Sequence, residues 1–202
     1  MTIWRGKQSL ILASQSRTRQ ALLTNAGLAF DAIPADIDER EVQHDSGLSD
    51  PARIASLLAR EKALAVSSAH RERLVIGADQ TLALGSQLFT KPAGRAQAAD
   101  QLRALSAKTH ELHSAIAVAR DGTTLFETVS VAKMTMRRMT ESEIGAYLDA
   151  AGAAVTTSVG AYQLEGLGVH LFERIEGDHF TILGLPLLPL LAFLRGEKLL
   201  AV

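Results

Sequence analysis

The sequence LVIGADQT occupies residues 74–81 and places an acid directly after an apolar run. Leu74 to Ala78 has the composition of a buried strand, and Asp79 follows it. An ionised carboxylate beside a core is unfavourable unless a partner compensates it. Two interpretations are therefore open: Asp79 is a structural cap, or it faces a crevice at the end of the strand and takes part in chemistry.

The composition narrows the class of protein. The 202 residues are 47% hydrophobic and 21% charged, which is typical of a globular domain with a sizeable core. A formal net charge of −1 provides no overall field for gathering nucleic acid or an anionic membrane. The sequence has no cysteine, which excludes disulfides and thiolate chemistry and suits a reducing compartment.

Two segments indicate where in the cell the protein is expected. The N-terminal stretch MTIWRGKQSLILAS carries charges and only a short apolar run, which is not typical of a signal peptide. The most apolar stretch, residues 182–194, is too short for a membrane span and contains two prolines. We expect a cytoplasmic protein that binds neither membrane nor nucleic acid.

The order of elements predicts an α/β fold with a mixed, twisted sheet and flanking helices. Strands and helices alternate in the first half, whereas long antiparallel strands dominate the middle. The predicted strands cover residues 9–13, 30–33 and 73–79, a hairpin about Gly85–Ser86, and two long strands about Asp121–Gly122. Helices are predicted from Ser16 to a stop at Gly27, over residues 51–69 and 95–105, and from Thr140 to a point before Gly152, and a last helix ends near residue 196. Residues 34–51 are expected to be a loop. The sequence lacks a repeat or long linker, so a single domain over residues 1–202 is expected.

The segment LASQSRTRQALL, residues 12–23, predicts a strand, a hydroxyl-rich turn and a helix start. Free N–H groups and the helix dipole favour an anion there. Ser14 and Ser16 would add hydroxyl donors, and Arg19 would bind a phosphate through its planar fork. The alternative is that Ser16 is only an N-cap and the arginines are surface charges. The segment lacks the GxxxxGK[ST] pattern of a P-loop.

The helix over residues 51–69 carries two further candidates. On a helical wheel, Glu61 falls in the middle of an apolar face and Lys62 at its edge. A glutamate in an apolar stripe needs a partner, so one interpretation is a structural ion pair. The other places Lys62 against a phosphate.

Three acids, Asp36, Asp38 and Glu39, lie close together in DIDER, and Lys91 lies in TKP. The acids are either a solvated loop or carboxylate ligands of the kind that Mg²⁺ prefers. Lys91 is either a surface lysine or a phosphate contact. Ligands of α/β sheets bind at the carboxyl ends of strands, where we expect Asp79 and the Ser14–Ser16 turn. Acids for a metal, a helix N-terminus and two lysines together suit phosphate-ester chemistry.

Six motifs run in order from about residue 10 to residue 195: LASQSRTRQALL, DIDER, AREKA, GADQT, KP with LRALSAKTHEL, and GAYQLEGLG with FERIEGDHFTILGLPL. In order and spacing they resemble the Maf family of nucleoside triphosphate pyrophosphatases. The resemblance implies a fold similar to that of the inosine-triphosphate pyrophosphatases, with two lobes around a central cleft and often a homodimer. It implies a hydrolase of acid anhydrides that converts an NTP to NMP and pyrophosphate with a divalent metal, Mg²⁺ or Mn²⁺.

The resemblance also implies roles for residues. Asp79 corresponds to the residue taken as catalytic acid or base, and Glu39 is associated with the metal site, which we expect Asp79 to share. The phosphate contacts implied are Ser14, Arg19, Lys62 and Lys91, to which the helix-start argument adds Ser16. Arg17 and Thr18 depart from the family pattern, because many relatives have proline and arginine at these positions.

Three positions, Thr18, Gln80 and Glu165, are linked in the family with the choice of base. The dTTP/UTP branch has Arg, Thr and Gln there, and the 7-methyl-GTP branch has an aromatic residue, Gln and an acid. This chain agrees with the second branch at Gln80 and Glu165 and with neither at Thr18. An acid at 165 would accept hydrogen bonds from a guanine-type N1–H and amino group, which favours a modified or purine-like base.

A second hypothesis belongs to another class of protein: a nucleotide-binding regulator, for instance of septum formation, in which hydrolysis is incidental. The combination of acids and cations favours the enzyme, because a binding module needs no catalytic acid beside a metal site. A dinucleotide-binding enzyme is excluded because the first turn lacks GxGxxG.

Overall fold

The structure is a computed structural model that describes residues 3–202. Its strands are β1 (Leu10–Leu12), β2 (Phe30–Ala32), β3 (Val75–Leu84), β4 (Gln87–Phe89), β5 (Thr109–Arg120), β6 (Thr123–Met136) and β7 (Phe172–Glu176). Its α-helices are α1 (Arg17–Asn25), α2 (Glu39–Ser46), α3 (Pro51–Ala69), α4 (Arg95–Leu105), α5 (Glu141–Ala151), α6 (His179–Ile182) and α7 (Leu187–Gly196). Short 3₁₀ segments cover Gly152–Thr156, Val159–Ala161 and Leu167–Leu171.

The strands form one sheet with the order β2-β1-β3-β5-β6-β7, and β4 pairs with β3. β1 is parallel to β2 and to β3, whereas the β3–β4 and β6–β7 pairs are antiparallel. The predicted α/β class with a mixed sheet and flanking helices is confirmed. None of the helices in residues 3–202 combines the length and apolar character of a membrane span.

The chain divides into two compact units. The first contains the residues up to Gln80, Ser114–Ser130 and His179–Val202. Its sheet has an apolar cluster on one face that includes residues of α1 and α7, such as Leu23 and Leu190. The expectation of one domain with two lobes around a cleft stays a prediction.

The second unit contains Thr81–His113 and Val131–Asp178. In it the buried His110 accepts or donates a hydrogen bond of 2.7 Å between Nε2 and the hydroxyl of Tyr162. Phe172 packs against both rings. Burial lowers the pKa of His110 to about 4, so the ring is neutral in the folded protein near neutral pH.

In the first unit, the other face of the sheet is covered by α3 through a stripe of small residues. Ala55, Ala59 and Ala63 form an apolar cluster with three alanines of β5. A Cβ atom at Gly77 of β3 would lie 2.0 Å from the carbonyl oxygen of Ala59. The helix backbone therefore rests directly on the strand, and only glycine fits at that position.

Most predicted elements are present, and their local signals explain them. Asp50 caps α3 by accepting from the backbone N–H of Arg53 at 2.8 Å. Thr140 and Glu143 form the predicted capping box of α5. Asp121 and Gly122 have φ values of 53° and 72°, as a tight hairpin turn requires.

The prediction of a loop over residues 34–51 is wrong, because α2 occupies Glu39–Ser46. Asp38 caps this helix by accepting from the backbone N–H groups of Arg40 and Glu41 at 3.0 and 3.1 Å. Gly47 ends it with φ of 61°. The helix has no buried residue, so the sequence lacks the apolar periodicity by which helices are recognised.

Candidate active site

The turn after β1 and the start of α1 place hydroxyl groups and a guanidinium side by side. Ser16 is the N-cap of α1, and its hydroxyl accepts from the backbone N–H of Arg19 at 3.3 Å. Ser14 is buried, and its hydroxyl accepts from Arg19 Nη1 at 3.2 Å and from the backbone N–H of Ser16 at 3.2 Å. The cap predicted as the alternative for Ser16 is thus present, and the helix N-terminus still favours an anion.

Arg19 is held mainly by backbone carbonyls. Its Nη1 donates to Ala78 O at 2.7 Å, and its Nε donates to Gly184 O at 2.8 Å. Burial lowers the pKa of Arg19, and the nearby carboxylates of Asp79 and Glu39 oppose that shift. The guanidinium is therefore a fixed positive charge that joins α1 to β3 and lies within electrostatic reach of both acids.

An acid–lysine–acid cluster forms beside it. Lys62 Nζ on α3 lies 2.6 Å from Asp79 Oδ1 and 2.7 Å from Glu39 Oε1. Lys62 and Asp79 are each 8% exposed, whereas the side chain of Glu39 is 52% exposed. A buried ion pair of this kind is stable only when both charges are compensated. Glu39, at the first turn of α2, gives the cluster its solvent-facing side.

The helical-wheel prediction for α3 is wrong about which residue lies at the centre of the buried face. The buried positions of α3 include Ala59, Lys62, Ala63 and Val66, so Lys62 faces the sheet. Glu61 is partly exposed and lies 3.7 Å from Arg60. The wheel gave weight to large apolar residues, but small alanines make the contact with the sheet.

Asp79 also differs from its expected place. β3 continues to Leu84, so Asp79 lies inside the strand rather than at its end. The neighbouring parallel strand β1 ends at Leu12, which pairs with Ile76. β3 thus extends past the carboxyl end of β1, and Asp79 lies beyond that end, in the same region as the Ser14–Ser16 turn. Because β3 is longer than β1, Asp79 and the Ser14–Ser16 turn lie in one region, which is the grouping expected from the sequence.

Gln80 follows Asp79 and makes its contacts in another direction. Its Nε2 lies 2.8 Å from Ser114 Oγ and 3.1 Å from the carbonyl oxygens of both Thr181 and Ile182. These partners come from β5 and from the segment around α6. Gln80 is therefore an anchored, partly exposed side chain that is adjacent to Asp79 in sequence.

The residues present fit a divalent cation. Residues 3–202 contain no group of three or more Asp, Glu or His side chains arranged for a metal, and Asp38 is engaged as a cap. Glu39 and Asp79 nevertheless converge on one ammonium group, so their oxygens already share a cationic partner. Mg²⁺ is commonly held by one or two carboxylates together with substrate phosphates, and this pair meets that requirement.

The structure brings together Ser14, Ser16, Arg19, Glu39, Lys62 and Asp79, with Thr18 and Gln80 adjacent to them in sequence. Lys91 and Glu165 belong to the second unit, where Lys91 follows β4 and both side chains are exposed. That Lys91 and Glu165 contact the substrate stays a prediction.

Sequence reasoning missed three residues that shape this site: Ser114, Gly77 and Gly184. Gly77 allows α3 to approach β3, and a glycine inside an apolar strand was a usable signal of close backbone contact. Gly184 has φ of 85° and carries the carbonyl that holds Arg19. Ser114, a buried serine in a long strand, carried no signal of its own.

The chain is similar in sequence to known proteins. The family model described as Maf-like protein matches residues 9–197. A protein of Bradyrhizobium diazoefficiens named nucleoside triphosphate pyrophosphatase is 72% identical over 202 residues and covers 100% of both chains. A protein of Brucella abortus named 7-methyl-GTP pyrophosphatase is 52% identical over 192 residues, covering 94% of this chain and 96% of that one.

A solved structure of a HAM1 protein from Coxiella burnetii superposes with a TM-score of 0.42 and 18% identity, over 65% of this chain and 74% of that chain. The sequence matches extend over nearly the whole chain and span the positions of the acid–lysine–acid cluster. The chain belongs to the Maf family.

Proposed function

We propose that this chain is a nucleoside triphosphate pyrophosphatase, a hydrolase that releases a nucleoside monophosphate and pyrophosphate. The observation that carries the proposal is the convergence of Glu39, Lys62 and Asp79 near Arg19 and the N-terminus of α1. The name borne by the relative at 72% identity supports it.

Positive charge and N–H donors in this site suit a triphosphate. Ser14, Ser16, Arg19 and Lys62 would bind phosphate oxygens, with Lys91 as a further contact suggested by the family resemblance. Phosphoryl transfer depends mostly on positioning and charge neutralisation, which fixed cations provide at no cost of rearrangement. Arg19 is fixed by three hydrogen bonds to protein acceptors, so its remaining donors would meet the substrate in a set orientation.

Glu39 and Asp79 would hold Mg²⁺ or Mn²⁺. A bound divalent ion would offset charge on the triphosphate and make a bound water more acidic. In hydrolysis, the water oxygen bonds to the α-phosphorus while the bond to the bridging oxygen breaks and pyrophosphate leaves. Asp79 would orient that water or accept its proton, and Lys62 would keep the Asp79 carboxylate in place.

For the base, we propose a modified or purine-like nucleobase. Gln80 and Glu165 agree with the 7-methyl-GTP branch, and the relative at 52% identity is named 7-methyl-GTP pyrophosphatase. We propose further that the protein works in the cytoplasm, a reducing compartment that suits a sequence without cysteine, and that it is a homodimer, as the family resemblance suggests.

The test is pyrophosphate release from a panel of UTP, dTTP, CTP, ITP and 7-methyl-GTP with Mg²⁺ or Mn²⁺. Asp79→Asn should lower turnover by at least about 1,000-fold while the fold is retained, since it removes a carboxylate from the metal and water. Glu39→Gln should weaken Mn²⁺ binding measured by titration calorimetry. Glu41→Gln, on the same helical turn and exposed, is the matched control.

Near-normal turnover of Asp79→Asn would remove Asp79 from the mechanism. Tight nucleotide binding without pyrophosphate release by the unmodified protein would favour the regulator hypothesis instead.

A further inference from the structure

The surroundings of Gln80 determine which end of its amide faces inward. Its amide nitrogen Nε2 meets the carbonyl oxygens of Thr181 and Ile182, each at 3.1 Å. A carbonyl oxygen only accepts hydrogen bonds, so the nitrogen of the amide, and not its oxygen, must face these two atoms.

Ser114 completes the same arrangement. It is fully buried on β5, and its hydroxyl donates its only hydrogen to Thr181 O at 2.6 Å. The hydroxyl must then act as acceptor toward Gln80 Nε2, 2.8 Å away. Ser114 therefore joins Gln80 to the backbone of residue 181 in one orientation only.

The segment Thr181–Gly184, named here the carbonyl turn, also holds the neighbouring cation. Gly184 O accepts from Arg19 Nε at 2.8 Å. A Cβ atom at Gly184 would lie 3.4 Å from Arg19 Nε and 3.7 Å from Gln80 Cδ, and φ there is 85°. The backbone conformation of residue 184 requires glycine. Because this residue has no side chain, the carbonyl turn lies directly against the side chains of Arg19 and Gln80.

We propose that Ser114 is a positioning residue that, with the carbonyl turn, fixes Gln80 with its carbonyl oxygen toward the ligand, so that the site selects nucleotides whose base offers a ring N–H donor. The proposal rests on the proposed function, because it places the base at the partly exposed residue that follows Asp79. Both N–H groups of the amide are used by protein acceptors, so Gln80 can only accept from a base. A base that presents an acceptor or a methyl group there leaves Gln80 Oε1 unpaired.

The test compares inosine triphosphate with 1-methylinosine triphosphate. The base of the first has one N–H donor, on N1, and the methyl group of the second removes it. We expect kcat/KM for pyrophosphate release to favour inosine triphosphate by about 10- to 100-fold in the unmodified protein, the range for one hydrogen bond that leaves a polar partner unsatisfied when lost.

Ser114→Ala removes the hydroxyl that links Gln80 to Thr181. We expect the preference to fall by about 3- to 10-fold, because the amide loses one of its three acceptors and turns more freely. The kcat for inosine triphosphate should change by less than about 3-fold, since Ser114 touches none of the acid cluster. Ser114→Thr keeps the hydroxyl and should restore the preference, which separates positioning from a general loss of packing.

Equal kcat/KM values for the two nucleotides in the unmodified protein would overturn the proposal, and so would full retention of the preference in Ser114→Ala. If the protein releases no pyrophosphate from any triphosphate, the proposed function fails, and calorimetric binding of the same two nucleotides then tests the selection by itself. In that measurement, equal affinities for the two nucleotides, or no binding of either nucleotide, would overturn the proposal.

Discussion

Replacing Gly77 by alanine tests whether the close approach of α3 to β3 sets the geometry of the acid cluster. The added Cβ would lie 2.0 Å from Ala59 O and 2.7 Å from Ala63 N. Both are backbone atoms, so α3 must move by roughly 1.2 Å to bring the carbonyl contact to about 3.2 Å. If the Lys62 side chain moves with α3, a shift of that size lengthens the 2.6 Å Lys62–Asp79 contact to at most about 3.8 Å, beyond hydrogen-bond range.

Overpacking of this kind costs about 1–3 kcal/mol, and in a chain of this length it lowers Tm by about 2–12 °C. A displacement near 1 Å of a catalytic group lowers turnover by about 100-fold. Thermal unfolding and pyrophosphate release measure the two effects. Gly145→Ala in α5 is the control, because nothing outside the adjoining backbone of α5 lies within 4 Å of the added Cβ, and it should gain about 0.5–1 kcal/mol. A Gly77→Ala protein with unchanged Tm and turnover would refute the packing argument.

Two further predictions concern the buried titratable side chains Lys62 and His110. Lys62→Met leaves the Asp79 carboxylate buried without its ammonium partner, so the free energy of unfolding in urea should fall by about 3–5 kcal/mol at neutral pH. An unchanged denaturation midpoint would contradict the ion pair. Burial lowers the pKa of His110 to about 4. Between about pH 6.5 and pH 4 the His110 ring is therefore protonated in the unfolded chain but neutral in the folded chain. The neutral His110 ring contributes roughly 3 kcal/mol to the free energy of unfolding above pH 6.5, and this contribution is lost as the pH falls towards 4. His110→Gln should therefore flatten this part of the curve of unfolding free energy against pH.

Local signals predicted most elements well. Asp50 with Pro51 marked the start of α3, and the Thr140–Glu143 pair marked the start of α5, because a helix cap is made by residues within one turn of each other. α2 was missed for the complementary reason. Its start at Asp38 is a capping signal, but its surface is entirely polar, and apolar periodicity is absent.

The candidate site was predicted as a set of residues but not as a geometry. Asp79 was expected at a strand end and lies within β3, because the length of β3 depends on its pairing with β4 as well as with β1. Lys62 was placed at the rim of α3 and lies on its buried face, because the alanines allow a backbone contact that a hydrophobicity wheel undervalues. Each error concerns a contact between segments distant in sequence.

By itself, the sequence determined the α/β class, the caps and turns that bound most elements, and the acids and cations that a phosphate site requires, since these depend on residue type and short-range spacing. Only the tertiary structure decided that Lys62 would pair with Asp79 and Glu39 and that the amide nitrogen of Gln80 would donate to Ser114. Such pairings need atoms from separate elements within about 3 Å, a condition that the packing of α3 and the carbonyl turn against the sheet imposes and that no local pattern encodes.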